Sequence, residues 1–197
     1  TPSKKYVRNI VSSKQVKLLI SDIQNNAKTP MFIGIDEEGG RVTRLKKEYG
    51  FKTMLPSHEA FAKENIISVE QKVRTHAQVM YDLGINVDFA PTVDILNKAN
   101  PTIGKYGRSF GTNTDTIVSY ASAFTRGLSA KGIVPVIKHY PGQGSTLIDT
   151  HKTAANSSAT FSRTEEIPFT KMLANNSLGV MVSHIVVSDI STEPASL

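Results

Sequence analysis

The 197-residue chain contains no cysteine and no tryptophan. The first absence excludes disulfides, thiolate metal sites and cysteine nucleophiles, and says little about compartment. The second, with aromatics at only 7% of residues, leaves none of the interleaved basic and aromatic pattern of a nucleic-acid groove. No apolar run approaches the roughly 18 residues of a membrane-spanning helix, and nothing at the N-terminus has the pattern of a signal peptide. No dinucleotide fingerprint follows the first expected strand, and Gly142-Gln143-Gly144 lacks the lysine pattern of a phosphate loop. Internal repeats, low-complexity tracts and interior linkers are missing too. The net charge of +6 is scattered, with basic doublets only at Lys4-Lys5 and Lys46-Lys47. That is the pattern of a solvated basic surface rather than a polyanion site.

What is present is the composition of an ordinary globular domain, 39% hydrophobic and 20% charged, on a chain long enough for one substantial core. Apolar spacing predicts helices over 15–25, 69–83, 115–131 and 163–175, and strands over 31–35, 86–90, 133–137 and 178–182. Gly84 and Gly132 close the second and third helices, and Pro91 stops the second strand. Helix and strand thus alternate four times, the signature of a parallel α/β sheet with helices outside. Polar residues follow each strand: Asp36-Glu37-Glu38, then Asp94, then Lys138-His139, then Ser183-His184. Side chains converging from several strand ends are expected at the C-terminal mouth of a TIM-like (β/α)8 barrel. A doubly wound sheet instead concentrates its site at one switch point. Four strands make about half a barrel.

Three clusters carry chemistry. In Asp36-Glu37-Glu38-Gly39-Gly40-Arg41-Val42-Thr43-Arg44, clustered carboxylates need cations or hydroxyl donors, and Arg41 and Arg44 are near in sequence. This segment reads as a sugar-hydroxyl acceptor, as an oxygen-rich metal site, or as a solvated turn. Arg108, bracketed by Gly107 and Gly111, suits forked hydrogen bonds to oxygen acceptors, or caps a neighbouring helix. The run Lys138-His139-Tyr140-Pro141-Gly142-Gln143-Gly144 to Asp149-Thr150-His151 places charge at the end of a buried strand, then an acid and an imidazole on a glycine-rich loop. Asp149 orienting His151 makes a general acid/base usable near neutral pH. The alternatives are an inert loop histidine, or a metal ligand set with His139 and Asp36. His58 and His76 lack a clustered acidic partner and read as structural. His184 either lines the mouth or fills it.

Together these segments, with Asp88-Phe89-Ala90-Pro91-Thr92-Val93-Asp94 and Gly107-Arg108-Ser109-Phe110, resemble glycoside hydrolase family 3 and, within it, the NagZ-type β-N-acetylglucosaminidases. The motifs stand in the family's order and cover most of the chain. The resemblance implies a (β/α)8 catalytic barrel, with residues 1–197 part of a single domain truncated at both ends and covering about strands 2 to 5. Tyr6-Val7-Arg8-Asn9 resembles the loop after the first strand. The resemblance further implies substrate binding by Asp36, Arg44, Arg108, Lys138 and His139, an Asp149–His151 acid/base dyad, and retaining double displacement on terminal β-linked GlcNAc. The saccharide is expected to derive from peptidoglycan or chitin. The family's nucleophilic aspartate is expected beyond Leu197; Asp94 and Asp189 do not match it. No cofactor or metal, no nucleic acid and no membrane are expected, and the remainder of the barrel must come from other segments. A cytoplasmic location is the expectation, with periplasmic or secreted as the alternative. Gln143 departs from the family, which frequently has histidine there; the change is expected to alter loop contacts more than chemistry. The competing readings are a GlcNAc phosphorylase or another β-glycosidase of the family, a noncatalytic sugar-binding fragment, and a metal-dependent hydrolase.

Overall fold

The computed structural model describes residues 10–150, 155–174, 178–194 and 196. Helix α1 (Ser13–Asn26) starts at an N-cap Ser12, whose hydroxyl accepts the Gln15 N–H, and leads into the short strand β1 (Gly34–Ile35). Helix α2 is a single turn (His58–Phe61), and α3 (Ile66–Leu83) is the longest helix. Its N-cap Asn65 starts it three residues before the apolar stripe does, and Gly84 ends it in the left-handed conformation that glycine adopts without strain. Strand β2 (Val87–Asp88), helix α4 (Thr114–Ser129) and strand β3 (Val134–Tyr140) follow. The chain continues through β4 (Ala155–Asn156), α5 (Ile167–Leu173), β5 (Gly179–Val182) and β6 (Ile185–Val186). A 3-10 turn, Arg163–Glu166, leads into α5 and carries a capping box between Ser162 and Glu165.

The main sheet has the order β1-β2-β3-β5, and every pair in it is parallel. Its strands are therefore laid down in chain order with a helix between each pair and no reversal. That is the winding of a barrel rather than of a doubly wound sheet, whose strand order turns back on itself. Helix α3 packs between α1 and α4, and α4 packs on α5, so the helices follow the same order outside the sheet. The core between the layers is filled by Phe61, Met80, Phe124, Leu128, Ile137 and Phe169, each at most 1% exposed. Helices α3 and α4 approach so closely that a methyl group on Gly127 would lie 2.8 Å from Val73 Cβ.

Three expectations are corrected in detail. The strand expected over 31–35 shrinks to two residues, because Phe32 is 81% and Met31 47% exposed at the sheet edge. There the Asn86 side chain replaces the ladder, accepting the Ile33 N–H at 2.7 Å and donating to the Met31 carbonyl. The strand expected over 133–137 instead spans Val134–Tyr140, so Lys138 and His139 lie within the strand itself. The α1 stripe is only half buried: Val16 and Ile20 pack inward, while Leu19 and Ile23 stay 40% exposed. A small parallel pair, β4 with β6, was not foreseen from the sequence pattern.

Candidate active site

At the C-terminal ends of β1 and β3 a cavity of about 390 Å³ opens, within the size range of small-molecule sites. Asp36, Arg44, Arg108, Lys138, His139 and Asp149 all line it. His151 lies outside the described residues. The cavity thus gathers six of the seven residues singled out from sequence, drawn from segments more than 100 positions apart.

Lys138 is the centre of this arrangement. Its ammonium is 3.1 Å from Asp36 Oδ1 and 2.5 Å from Glu38 Oε1, and the residue is 1% exposed. The Arg108 guanidinium grips the same Glu38 with two parallel bonds, Nε to Oε2 at 2.8 Å and Nη2 to Oε1 at 2.7 Å. Burial alone would raise the Glu38 carboxyl, but the Lys138 ammonium and the Arg108 guanidinium outweigh it and hold it well below the usual carboxylate range. Burial likewise disfavours the Arg108 cation, and Glu38 overcomes that and raises it. Glu38 is saturated and wholly buried. Asp36 is not: its side chain is 39% exposed, and Arg44 reaches its Oδ2 at 3.5 Å. Of the two carboxylates, Asp36 is the one that can accept hydrogen bonds from a ligand.

His139 is fixed in one tautomer. Arg108 Nη2 lies 3.3 Å from His139 Nε2, and a guanidinium can only donate, so Nε2 accepts. The proton then sits on Nδ1, which donates to Asp94 Oδ2 at 2.7 Å. Burial lowers the His139 pKa against the opposing pull of Asp94, consistent with a neutral ring. Asp94 Oδ1 accepts two backbone N–H groups, from Gln143 at 2.8 Å and His139 at 3.3 Å. With both ring nitrogens engaged, His139 has no lone pair left for a metal. Among the described residues no group of three His, Asp or Glu side chains is placed to hold one.

Asp149 stands half-buried on the facing loop. That loop is threaded tightly past its neighbours: a methyl group on Gly144 would lie 2.0 Å from the Ile95 carbonyl oxygen, and Gly142, at φ +134°, would meet Glu165. Gln143 anchors it. Its carbonyl accepts from Asn100 Nδ2 at 2.7 Å, and its side-chain amide donates to Thr150 Oγ1 at 3.3 Å, beside Asp149. His184 lines the mouth and is exposed, with Nδ1 2.6 Å from Ser196 Oγ. Asp189 does not line the cavity, and Asp94 is fully buried and engaged, so neither offers it a carboxylate.

Two readings of the acidic run are corrected. Arg41 does not neutralise it; its guanidinium lies over the Tyr106 ring, 5.0 Å from the centroid. His76 does have an acidic partner, Glu37 Oε1, 3.1 Å from Nε2. Glu37 is buried and also accepts from the Thr43 hydroxyl and from the Arg44 N–H at 2.6 Å. Glu38 and Asp94 were visible in sequence as polar residues near strand ends. Their structural partners were not, since these lie 70 and 45 positions away.

Residues 5–197 match the model of the glycosyl hydrolase family 3 N terminal domain. This chain belongs to that family. The family 3 chain is 35% identical over 172 residues to the β-hexosaminidase LpqI of Mycobacterium tuberculosis, covering 85% of this chain and 44% of that protein. It superposes with a TM-score of 0.85 on NagZ from Neisseria gonorrhoeae in complex with N-trifluoroacetyl-D-glucosamine, at 27% identity, covering 95% of this chain and 57% of that one. A family 3 β-N-acetylglucosaminidase from Paenibacillus sp. str. FPU-7 also superposes with a TM-score of 0.85, at 30% identity, covering 96% of this chain and 37% of that one. The family 3 chain therefore has the TIM-like α/β fold, with four of its parallel strands in the main sheet. It spans about half the length of the curated relatives it matches.

Proposed function

We propose that the protein containing this chain is a retaining exo-β-N-acetylglucosaminidase acting on terminal β-linked GlcNAc in peptidoglycan- or chitin-derived saccharides. The carrying observation is the gathering of Asp36, Arg44, Lys138, Arg108, His139 and Asp149 around one cavity, in a chain whose relatives are named β-hexosaminidases. In this reading Asp36 accepts sugar hydroxyls, Arg44 and Lys138 donate to sugar oxygens, and Glu38, Arg108 and Asp94 hold Lys138 and His139 in position.

The nucleophilic carboxylate is supplied by a segment outside residues 1–197, which also completes the barrel. It attacks the anomeric carbon as the glycosidic C–O bond breaks, and His151, oriented by Asp149, gives its proton to the departing oxygen. The now neutral imidazole takes a proton from water, whose oxygen displaces the carboxylate and restores both groups. Imidazole suits both halves because its ordinary pKa lies near neutrality. The full-length protein is expected to release p-nitrophenol from the β-GlcNAc aryl glycoside, and His151→Ala to slow release by about 10²–10⁴-fold. Undiminished release by that variant removes His151 from the acid/base role. Absence of release from the unaltered protein removes the reaction.

A further inference from the structure

A second cavity, of about 500 Å³, lies on the outer side of the fold between α3 and the extended segment 52–56, and it shares no residue with the family 3 cavity. One wall is a polar stripe on α3, with Ser68, Gln71, Lys72 and Thr75 at the spacing of a single helix face. The opposite wall is apolar, formed by Met54, Leu55 and Pro56, and Met54 is 40% exposed. Lys47 and Lys52 stand at the rim, also exposed. At the back, His76 is 1% exposed and spans the two walls, its Nδ1 3.0 Å from Thr53 Oγ1.

The lining holds three lysines and no carboxylate. Lys72 is neutralised by Glu64 at 2.6 Å, just outside the cavity. Lys47 and Lys52 form no ion pair among the described residues. A concave surface with an excess of one charge sign raises the local concentration of the opposite ion. The apolar wall adds a preference for a ligand with a hydrophobic body, and the hydroxyls and amide of the α3 stripe can donate to an oxyanion. We propose that this cavity is a binding site for a small amphipathic anion, one with an aromatic or aliphatic body and a phosphate or carboxylate head. The head lies toward Lys47 and Lys52, and the body rests on Met54 and Pro56.

The probe is phenyl phosphate, titrated into the purified protein by calorimetry beside inorganic phosphate and benzyl alcohol, its two halves. Saturable binding of phenyl phosphate is expected, about tenfold or more tighter than either half and weaker at high salt. Lys47→Ala with Lys52→Ala should weaken it about tenfold, with an unchanged melting temperature because both residues are exposed. Met54→Ser should weaken phenyl phosphate and leave inorganic phosphate unaffected. Arg44→Ala, which alters the family 3 cavity, should leave phenyl phosphate affinity as it was. No saturable binding overturns the proposal, as does binding that survives loss of both lysines. Binding abolished by Arg44→Ala instead places the anion in the family 3 cavity and also overturns it.

Discussion

The Arg108 guanidinium meets the Glu38 carboxylate edge to edge, with both oxygens bonded at 2.7 and 2.8 Å and neither residue more than 9% exposed. Removing one partner of such a pair strands a buried charge, which typically costs about 3–5 kcal/mol. Glu38→Ala is therefore expected to destabilise the fold by that order, since Arg108 and Lys138 both lose their counter-ion. Arg108→Lys keeps the charge but not the fork, and should fall between the two. Urea denaturation at neutral pH measures both variants. A loss below about 1 kcal/mol for Glu38→Ala would show that the pair holds neither cation.

Asp94→Asn keeps the shape of the His139 partner and changes its hydrogen bonding. An amide cannot accept from both backbone N–H groups and from the ring, so the ring loses its reason to carry the proton on Nδ1. Nitrogen-detected NMR of the unaltered protein should show a neutral Nδ1–H tautomer that titrates below the ordinary histidine value, in line with its burial. In the variant the signature should mix tautomers, with a stability loss of about 1–3 kcal/mol. An Nε2–H tautomer in the unaltered protein contradicts the Glu38–Arg108–His139–Asp94 chain.

Gln143→Ala removes the amide bridge to Thr150 while keeping the main-chain bonds of residue 143 to Asp94 and Asn100. The barrel strands should be unaffected, while amide exchange quickens over residues 145–150. If the proposed function holds, turnover of the aryl glycoside should fall through kcat more than through KM, because in that reading the loop carries Asp149 and not the sugar-binding residues. Equal exchange in both proteins would mean that the glycine threading alone holds the loop.

His58 sets a stability dependence on pH. Its Nε2 is buried without a hydrogen-bond partner among the described residues, against the edge of Phe110. Burial, aided by Arg108 and Lys138 against the pull of Glu38, pushes its pKa down from 6.5 to about 4. Between those values the unfolded chain binds a proton that the folded chain refuses, so stability rises with pH. The contribution is complete above about pH 6.5 and lost by about pH 4, a difference on the order of 3 kcal/mol. Stability curves of His58→Phe should be flatter over that window. Parallel curves for the two proteins would place the titration elsewhere.

The periodic elements were legible because their signal is local. Val69, Val73, Ala77 and Met80 repeat at the helical period and are fully buried, and Gly84 ends their helix. The convergence of strand ends was legible too, since polar residues recur after each apolar run. Pairing was not. Glu38 sits beside Arg41 and Arg44 in sequence, yet takes Arg108 and Lys138 as partners, because only the fold brings the end of the first strand against the segment after the second and the end of the third. Phe32 and Ile23 show the opposite failure. Their apolar character predicts burial, but Phe32 is 81% and Ile23 40% exposed.

Among the described residues lining the family 3 cavity, three carboxylates, Asp36, Glu38 and Asp149, face three cations, Arg44, Arg108 and Lys138. A mouth balanced in this way neither attracts nor repels by net charge, and Debye screening has little leverage on a neutral guest. Selection there falls to the direction of individual hydrogen bonds. Ionic strength then separates this cavity from the one beside α3: a neutral sugar should be held almost equally well in dilute and concentrated salt, while an anion on the outer face should be shed.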